Sequence, residues 1–243
     1  MLPSIPPAGC TRTSRSLRSR AARSLANETG QPNGGAIYLS SALDRIGATI
    51  ENSTFSDNRS NHQQGKASAI AVTGRLTLRN STFAGNKTSP TLTPLGEGGA
   101  LFVESTQSQV NLVSTLFANN THGNAGALVD LSHEASPTST VNVSNSLFRT
   151  NPAAAINGIN TANLFSVDAL IRPLTTADGG LWPVHPLSRT SPAIDRGANP
   201  AALVADQRGV GFVRGWSDPK NRAGIADIGA YEFRGDAFFA GDF

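Results

Sequence analysis

Leu76-Thr77-Leu78-Arg79-Asn80-Ser81-Thr82-Phe83-Ala84-Gly85-Asn86 is the stretch on which the fold turns. Its first half alternates apolar and polar residues, the pattern of a strand with one buried face. Continued past Arg79, that alternation would bury Asn80 and expose Phe83. A one-residue corner at Asn80 reverses the parity and lets Ser81 and Phe83 face inward. Asn tolerates the left-handed backbone such a corner needs. Asn86 then closes a second corner.

The same stretch recurs along the chain. Phe55-Ser56-Asp57-Asn58, Phe83-Ala84-Gly85-Asn86, Phe117-Ala118-Asn119-Asn120 and Phe148-Arg149-Thr150-Asn151 all read Phe-x-x-Asn, separated by 28, 34 and 31 residues. Asn52-Ser53-Thr54, Asn80-Ser81-Thr82 and Asn145-Ser146-Leu147 precede three of them, and Ser114-Thr115-Leu116 precedes the fourth. A second element interleaves: Gly34-Gly35-Ala36-Ile37, Ala67-Ser68-Ala69-Ile70, Gly98-Gly99-Ala100-Leu101 and Ala125-Gly126-Ala127-Leu128, with Ala153-Ala154-Ala155-Ile156 as a fifth copy. Val110-Asn111-Leu112 and Val141-Asn142-Val143 repeat the opening alternation.

A unit of three short strands and three corners cannot bury its own apolar face, whereas stacked copies build a continuous parallel sheet on each side. The expectation is an all-β, right-handed parallel β-helix of about five coils with an irregular C-terminal cap. Phe55, Phe83, Phe117 and Phe148 should stack as an interior column, and Asn52, Asn80 and Asn145 as an amide ladder. The polar segments 59–66, 87–97 and 132–139 vary in length and should project as loops. Three regions follow: an Arg/Ser-rich leader over 1–27 read as disordered, repeats over 28–165, and a closing coil with cap over 166–243.

Composition agrees and excludes other classes. Of 243 residues, 15% are charged and 6% aromatic, with 24 Gly and 14 Pro; this is strand-and-turn chemistry, not that of a helical bundle. No apolar run is long enough for a membrane-spanning helix. The net charge of +3 suggests a nucleic-acid partner until its location is noted. Arg12, Arg15, Arg18, Arg20 and Arg23 share one segment, and without them the chain carries 15 basic against 17 acidic residues, so no nucleic-acid partner is expected. Cys10 is the single cysteine, which rules out an intramolecular disulfide.

The alternation of Gly-Gly-Ala-Ile/Leu with Phe-x-x-Asn resembles the chlamydial polymorphic outer-membrane protein repeats, which are autotransporter passengers, over residues 33 to 157. Further on, Asp178-Gly179-Gly180 with Pro183, then Ser191-Pro192-Ala193-Ile194-Asp195-Arg196-Gly197, Asp206-Gln207-Arg208-Gly209 and Asp227-Ile228-Gly229-Ala230-Tyr231-Glu232, resemble the closing segment of secreted β-helix proteins of the choice-of-anchor type. The resemblance implies an exported or cell-surface, adhesin-like module, acting as a monomer on a surface glycan or protein. The leader does not read as a secretory signal and the end lacks a sorting tail, so a fragment or a misassigned start is an alternative expectation.

Parallel β-helices also house polysaccharide lyases and glycoside hydrolases, which gather carboxylates in one groove. In the repeats acidic residues occupy unrelated places. In the tail Asp195, Asp206 and Asp227 lie near Arg196, Arg208 and Arg214, so a carbohydrate-active enzyme using those three carboxylates is the second reading. The first is that each carboxylate sits in a turn beside Gly, accepts backbone N–H bonds and pairs with Arg to close the solenoid. His62, His122, His133 and His185 fit no zinc spacing, and neither a metal nor another cofactor is expected. Trp182 and Trp216 read as anchors of the closing segment.

Overall fold

A computed structural model of the chain describes residues 17–20, 23–25, 27–29, 35–40, 47–62, 65–88, 98–104, 107–123, 126–134, 138–216 and 224–235. The first coil contains β1 (Leu17–Arg20), β2 (Arg23–Leu25), β3 (Glu28–Thr29) and β4 (Ile37–Ser40). The second contains β5 (Gly47–Glu51), β6 (Thr54–Ser56), β7 (Arg59–Ser60) and β8 (Ile70–Thr73). The third contains β9 (Arg75–Arg79), β10 (Thr82–Ala84), β11 (Lys87–Thr88) and β12 (Leu101–Val103). The fourth contains β13 (Gln109–Val113), β14 (Leu116–Ala118), β15 (Thr121–His122), β16 (Ala127–Leu128) and β17 (Leu131–His133). The fifth contains β18 (Thr140–Ser144), β19 (Leu147–Phe148) and a 3-10 turn (Ala153–Ala155), and β20 (Asn160–Thr161) follows.

The first four coils each contribute to all four sheets, which we call A (β1-β5-β9-β13-β18-β20), B (β2-β6-β10-β14-β19), C (β3-β7-β11-β15-β16) and D (β4-β8-β12-β17), the fourth giving C both β15 and β16, while the fifth coil joins A and B alone. All described pairs are parallel except β15 with β16. This is the expected β-helix, with four strands per coil rather than three: the residues after the second Asn form the short strands of sheet C. Ser60, Thr88 and His122 point into the core from it, and their coils are close enough for the backbones to pair.

The parity reversal is present in each repeat. Asn52, Asn80, Ser114 and Asn145 take φ of 47, 45, 51 and 48°. Beyond them Phe55, Phe83, Phe117 and Phe148 stack at 4.7, 4.9 and 4.7 Å with interplanar angles of 8, 14 and 10°. Leu76, Leu78, Val110, Leu112, Val141 and Val143 of sheet A and Ile70, Leu101 and Leu131 of sheet D pack against the column. Phe165, tilted on Phe148 at 5.6 Å, ends it with Ile156 and Ala155.

The amide ladder forms one corner later than expected. Asn58 Nδ2 donates to Asn86 Oδ1 (2.8 Å) and Asn86 Nδ2 to Asn120 Oδ1 (2.9 Å), while Asn27 Nδ2 donates to Asn58 Oδ1 (2.8 Å). The next rung is not Asn151, which is exposed and accepts from Ala153 N at 3.2 Å. Asp130 takes that place, accepting from Asn120 Nδ2 at 3.0 Å and from Thr150 N at 2.9 Å. Burial pushes its carboxyl above the usual carboxylate range.

That carboxylate also shifts the fourth small-residue strand. Leu131, not Leu128, pairs with Leu101, and Ala127–Leu128 turns outward as β16. The fifth copy, Ala153–Ala155, forms the 3-10 turn instead of a strand. At the other end the boundary drawn at residue 27 moves. Leu17–Arg20 and Arg23–Leu25 pair with β5 and β6, because an open parallel edge leaves backbone groups for one more coil to satisfy. Cys10, the rest of 1–16 and the end 236–243 lie outside the described residues.

Phe83→Ala should open a cavity between two stacked rings and lower unfolding stability by about 3–5 kcal/mol, measured by denaturant unfolding. Asn86→Ala should cost about 1–3 kcal/mol, because it leaves the polar groups of Asn58 and Asn120 buried without a rung between them.

Candidate functional site

Residues 166–216 and 224–235 return along the outside of sheet B as an irregular strap. The outward residues of that sheet, Thr54, Thr82, Leu116 and Leu147 with Ser56, Ala84 and Ala118, are buried beneath it. Leu116, Ala118 and Leu147 form a second core with Ala169, Val184, Leu187, Ala193, Ile228 and Tyr231. So the irregular C-terminal segment covers the flank of the solenoid, while Ile156 and Phe165 close its end. The reason lies in the corners. Asn52 Nδ2 donates to Ala205 O (2.6 Å), Asn80 Nδ2 to Ala198 O (3.0 Å) and Asn145 Nδ2 to Arg196 O (3.4 Å), and Ser114 Oγ donates to Ala198 O (2.9 Å). The residues expected to stack as a ladder are therefore a row of donors that binds the strap.

Within the strap the Asp-Ile-Gly turn reaches sheet B at Gly229, whose φ is +106°. A Cβ there would lie 2.9 Å from Thr82 Oγ1 and 3.2 Å from Leu116 Cβ, so only glycine fits. Next to it, Ala230 N donates to Thr82 Oγ1 at 2.9 Å, and Thr54 Oγ1 donates to Gln207 Oε1 at 2.5 Å.

Asp206, Arg208, Arg214, Asp227 and Glu232 form one buried network, with the exposed Asp178 at its edge. Arg208, fully buried, reaches Asp206 Oδ2 at 2.7 Å and Asp178 Oδ2 at 2.6 Å and donates to Glu232 O at 2.5 Å. Asp206 also accepts from Glu232 N at 2.8 Å. Arg214 donates to Glu232 Oε2 (3.3 Å), Gly229 O (3.0 Å), Ala230 O (3.0 Å) and Asn52 Oδ1 (2.7 Å), which ties the strap to a corner of the second coil. Asp227 accepts from Asp195 N at 2.8 Å and Phe233 N at 2.6 Å. Burial first, then the neighbouring Glu232, pushes its carboxyl up to about 8; burial raises Glu232 as well.

Aromatic rings and guanidinium groups alternate beside this network. Arg208 lies 4.0 Å from the Tyr231 centroid and 4.2 Å from that of Phe212, and Arg234 lies 5.0 Å from Phe212 and 4.9 Å from Trp216. Such contacts are strengthened by removal of water. Trp216 thus anchors the strap through a cation.

A further joint was not read from the sequence. Ser56 Oγ, on sheet B, lies 2.9 Å from His185 Nε2 of the strap and 2.9 Å from Asp57 Oδ2. His185 Nδ1 is 2.9 Å from Arg172 O; a carbonyl only accepts, so Nδ1 carries the proton. Burial holds His185 below its ordinary range. Ser56 is covered by the strap, so the pair fastens two surfaces rather than meeting a substrate. A sequence signal for the strap existed: outward positions of the Asn-Ser-Thr-Phe-Ala stretch are small or apolar where a solvated face would carry charge.

The three tail carboxylates proposed for catalysis are thus placed differently. Asp206 and Asp227 are 2% and 1% exposed, each with both oxygens accepting hydrogen bonds. Asp195 is half-buried on the strap surface, at φ 55°.

Residues 11–169 match the family model described as right handed beta helix region. No curated protein and no solved structure matches the chain.

Arg208→Met should cost about 3–5 kcal/mol by leaving Asp206 buried without its cation, read as a lower melting temperature and faster proteolysis within 166–235. Asp227 gives a pH prediction. The native state holds a proton that the unfolded chain releases near 4, so the contribution of Asp227 to stability is fully present below about 4 and is lost as pH rises through about 8. In Asp227→Asn that slope between pH 4 and 8 should shrink in a denaturation series.

Proposed function

We propose, from the premise that the chain belongs to the right-handed β-helix family, that it works as a non-enzymatic, exported or cell-surface interaction module. The observation that carries this reading is the fate of the carboxylates: Asp206, Asp227 and Glu232 are buried and held by arginine and backbone N–H groups, whereas a general acid or base must reach a substrate. The solvent face of sheet A supports it further. Its outward residues, Thr49, Thr77, Asn111 and Asn142 with Arg75, Gln109 and Thr140, are half-buried or exposed, and Asn142 Nδ2 donates to Asn111 Oδ1 at 2.9 Å. Neutral hydrogen-bonding rows, flanked by Arg75 and by the Glu51–Arg79 ion pair at 2.8 Å, suit contact with a partner surface.

The purified chain should show no product when incubated with acidic or neutral polysaccharides, with or without calcium, in assays for unsaturated and reducing ends. Turnover that disappears in a still-folded Asp195→Asn, Asp206→Asn or Asp227→Asn variant would establish the carbohydrate-active enzyme instead. Fractionation of the native host should place the chain outside the cytoplasm.

A further inference from the structure

The solenoid does not end on a finished coil. Beyond β18 the chain makes half a coil more: Asn160–Thr161 in sheet A, a corner at Ala162 with φ of 54°, then Leu164 bridged to Leu147 in sheet B. Hydrogen bonds fix which way this backbone faces. Val143 N donates to Ile159 O (2.7 Å) and Asn145 N to Thr161 O (3.1 Å), while Leu164 N donates to Ser146 O (2.8 Å) and Leu164 O accepts from Phe148 N (2.9 Å). Successive residues of a parallel strand bond to opposite neighbours, so the N–H and C=O of Asn160 and of Phe165 face away from the fifth coil. Neither residue has a backbone partner on that side among the described residues. Asn160 is exposed and Ile159 is 58% exposed. At this corner Ala162 has no amide with which to hold the strap, and an open cleft of about 480 Å³ lies between Ala162 and Leu164 on one side and Arg196 and Ile225 on the other. Open edges are commonly blunted by charge or proline; residues 157–165 carry neither.

The opposite end of the described solenoid is the complement of this edge. Sheets A and B begin there with β1 and β2. Along sheet A the carbonyls of Arg79, Val113, Ser144 and Thr161 face the preceding coil, accepting from Asn52, Asn80, Ser114 and Asn145, and Arg20 holds their register position in the first coil. Arg20 and, by alternation, Arg18 therefore turn their backbone groups outward, as Arg23 and Leu25 do in sheet B. A straight peptide strand follows Asn160 or Phe165 but not both, because Ala162 bends the edge between two sheets. A coil with the same corner follows both. We propose that a second copy of this chain stacks head to tail on this edge, its β1 and β2 continuing sheets A and B. Asn160 N–H then donates to the second copy's Arg18 C=O, and Asn160 C=O accepts from its Arg20 N–H, the pattern that joins β18 to β20. Such a contact is heterologous, leaves an unused end on every pair and builds rods rather than closed dimers. Stacking is independent of what the face of sheet A contacts.

Sedimentation velocity on the full chain over a wide concentration range tests the contact. The average mass should rise past that of a dimer without a plateau. Arg18→Pro and Asn160→Pro each remove an outward N–H and keep the bonds within the chain, so each alone should weaken association roughly tenfold or more at an unchanged melting temperature. Mixed in equal amounts they should associate again and stop at dimers, since one variant keeps an intact C-terminal edge and the other an intact N-terminal one. Ile159→Lys alters no backbone group and should act as Asn160→Pro does; it replaces that variant if proline lowers the melting temperature. A monomer at every concentration, a plateau at the dimer for the unaltered chain, association undiminished in the edge variants, or a mixture no more associated than its components would overturn the inference.

Discussion

The left-handed residue at the first corner of each repeat governs the molecule. At Asn52, Asn80, Ser114 and Asn145 the backbone turns through a conformation that most side chains avoid, and the alternation of the chain changes face. Without that reversal the Phe column would point to solvent and sheets A and B could not share a core. The same residue, freed from the interior, offers its side chain outward. Three amides and one hydroxyl in a row then hold carbonyls of the strap. One corner thus sets both the inner packing and the docking of the C-terminal third.

The second corner does complementary work. Asn58, Asn86 and Asn120 face inward and satisfy one another, each rung supplying an acceptor to the one before it. Such a ladder needs a terminus, because the last amide would otherwise be buried with unused donors. Asp130 supplies it, and the demand for a buried acceptor at that point outweighs the sequence similarity of Ala125-Gly126-Ala127-Leu128 to the earlier copies. Local resemblance yields to hydrogen-bond accounting.

The strap has a different logic from the coils. Asp206, Arg208, Arg214 and Glu232 are buried, which is costly unless each charge is paired, and carboxylates, carbonyls and rings around Arg208 and Arg214 supply the partners. An ion-pair network of this kind fixes one geometry of an otherwise irregular segment. It also withdraws Asp206 and Asp227 from solvent, so carboxylates that look like a catalytic set in sequence become the framework beneath an exposed turn at Asp195 and Arg196.

The period, the parity reversal at Asn80, the Phe column and the parallel stacking were legible in the sequence, because they follow from alternation and from repetition at nearly constant spacing. The strand in sheet C, the roles of the two Asn columns and the slip from Leu128 to Leu131 were not, since each depends on what a neighbouring coil or the strap offers a polar atom. The strap motifs announced themselves by their Asp, Arg and Gly content, yet their partners lie up to 162 residues away, as between Arg214 and Asn52. Sequence by itself determined the repeating unit and its inward face, because both are local consequences of backbone geometry and side-chain alternation. Only the tertiary structure decided where the C-terminal third lies, which carboxylates lose water, and where a cleft remains, because burial is set by surfaces that meet after the chain has folded.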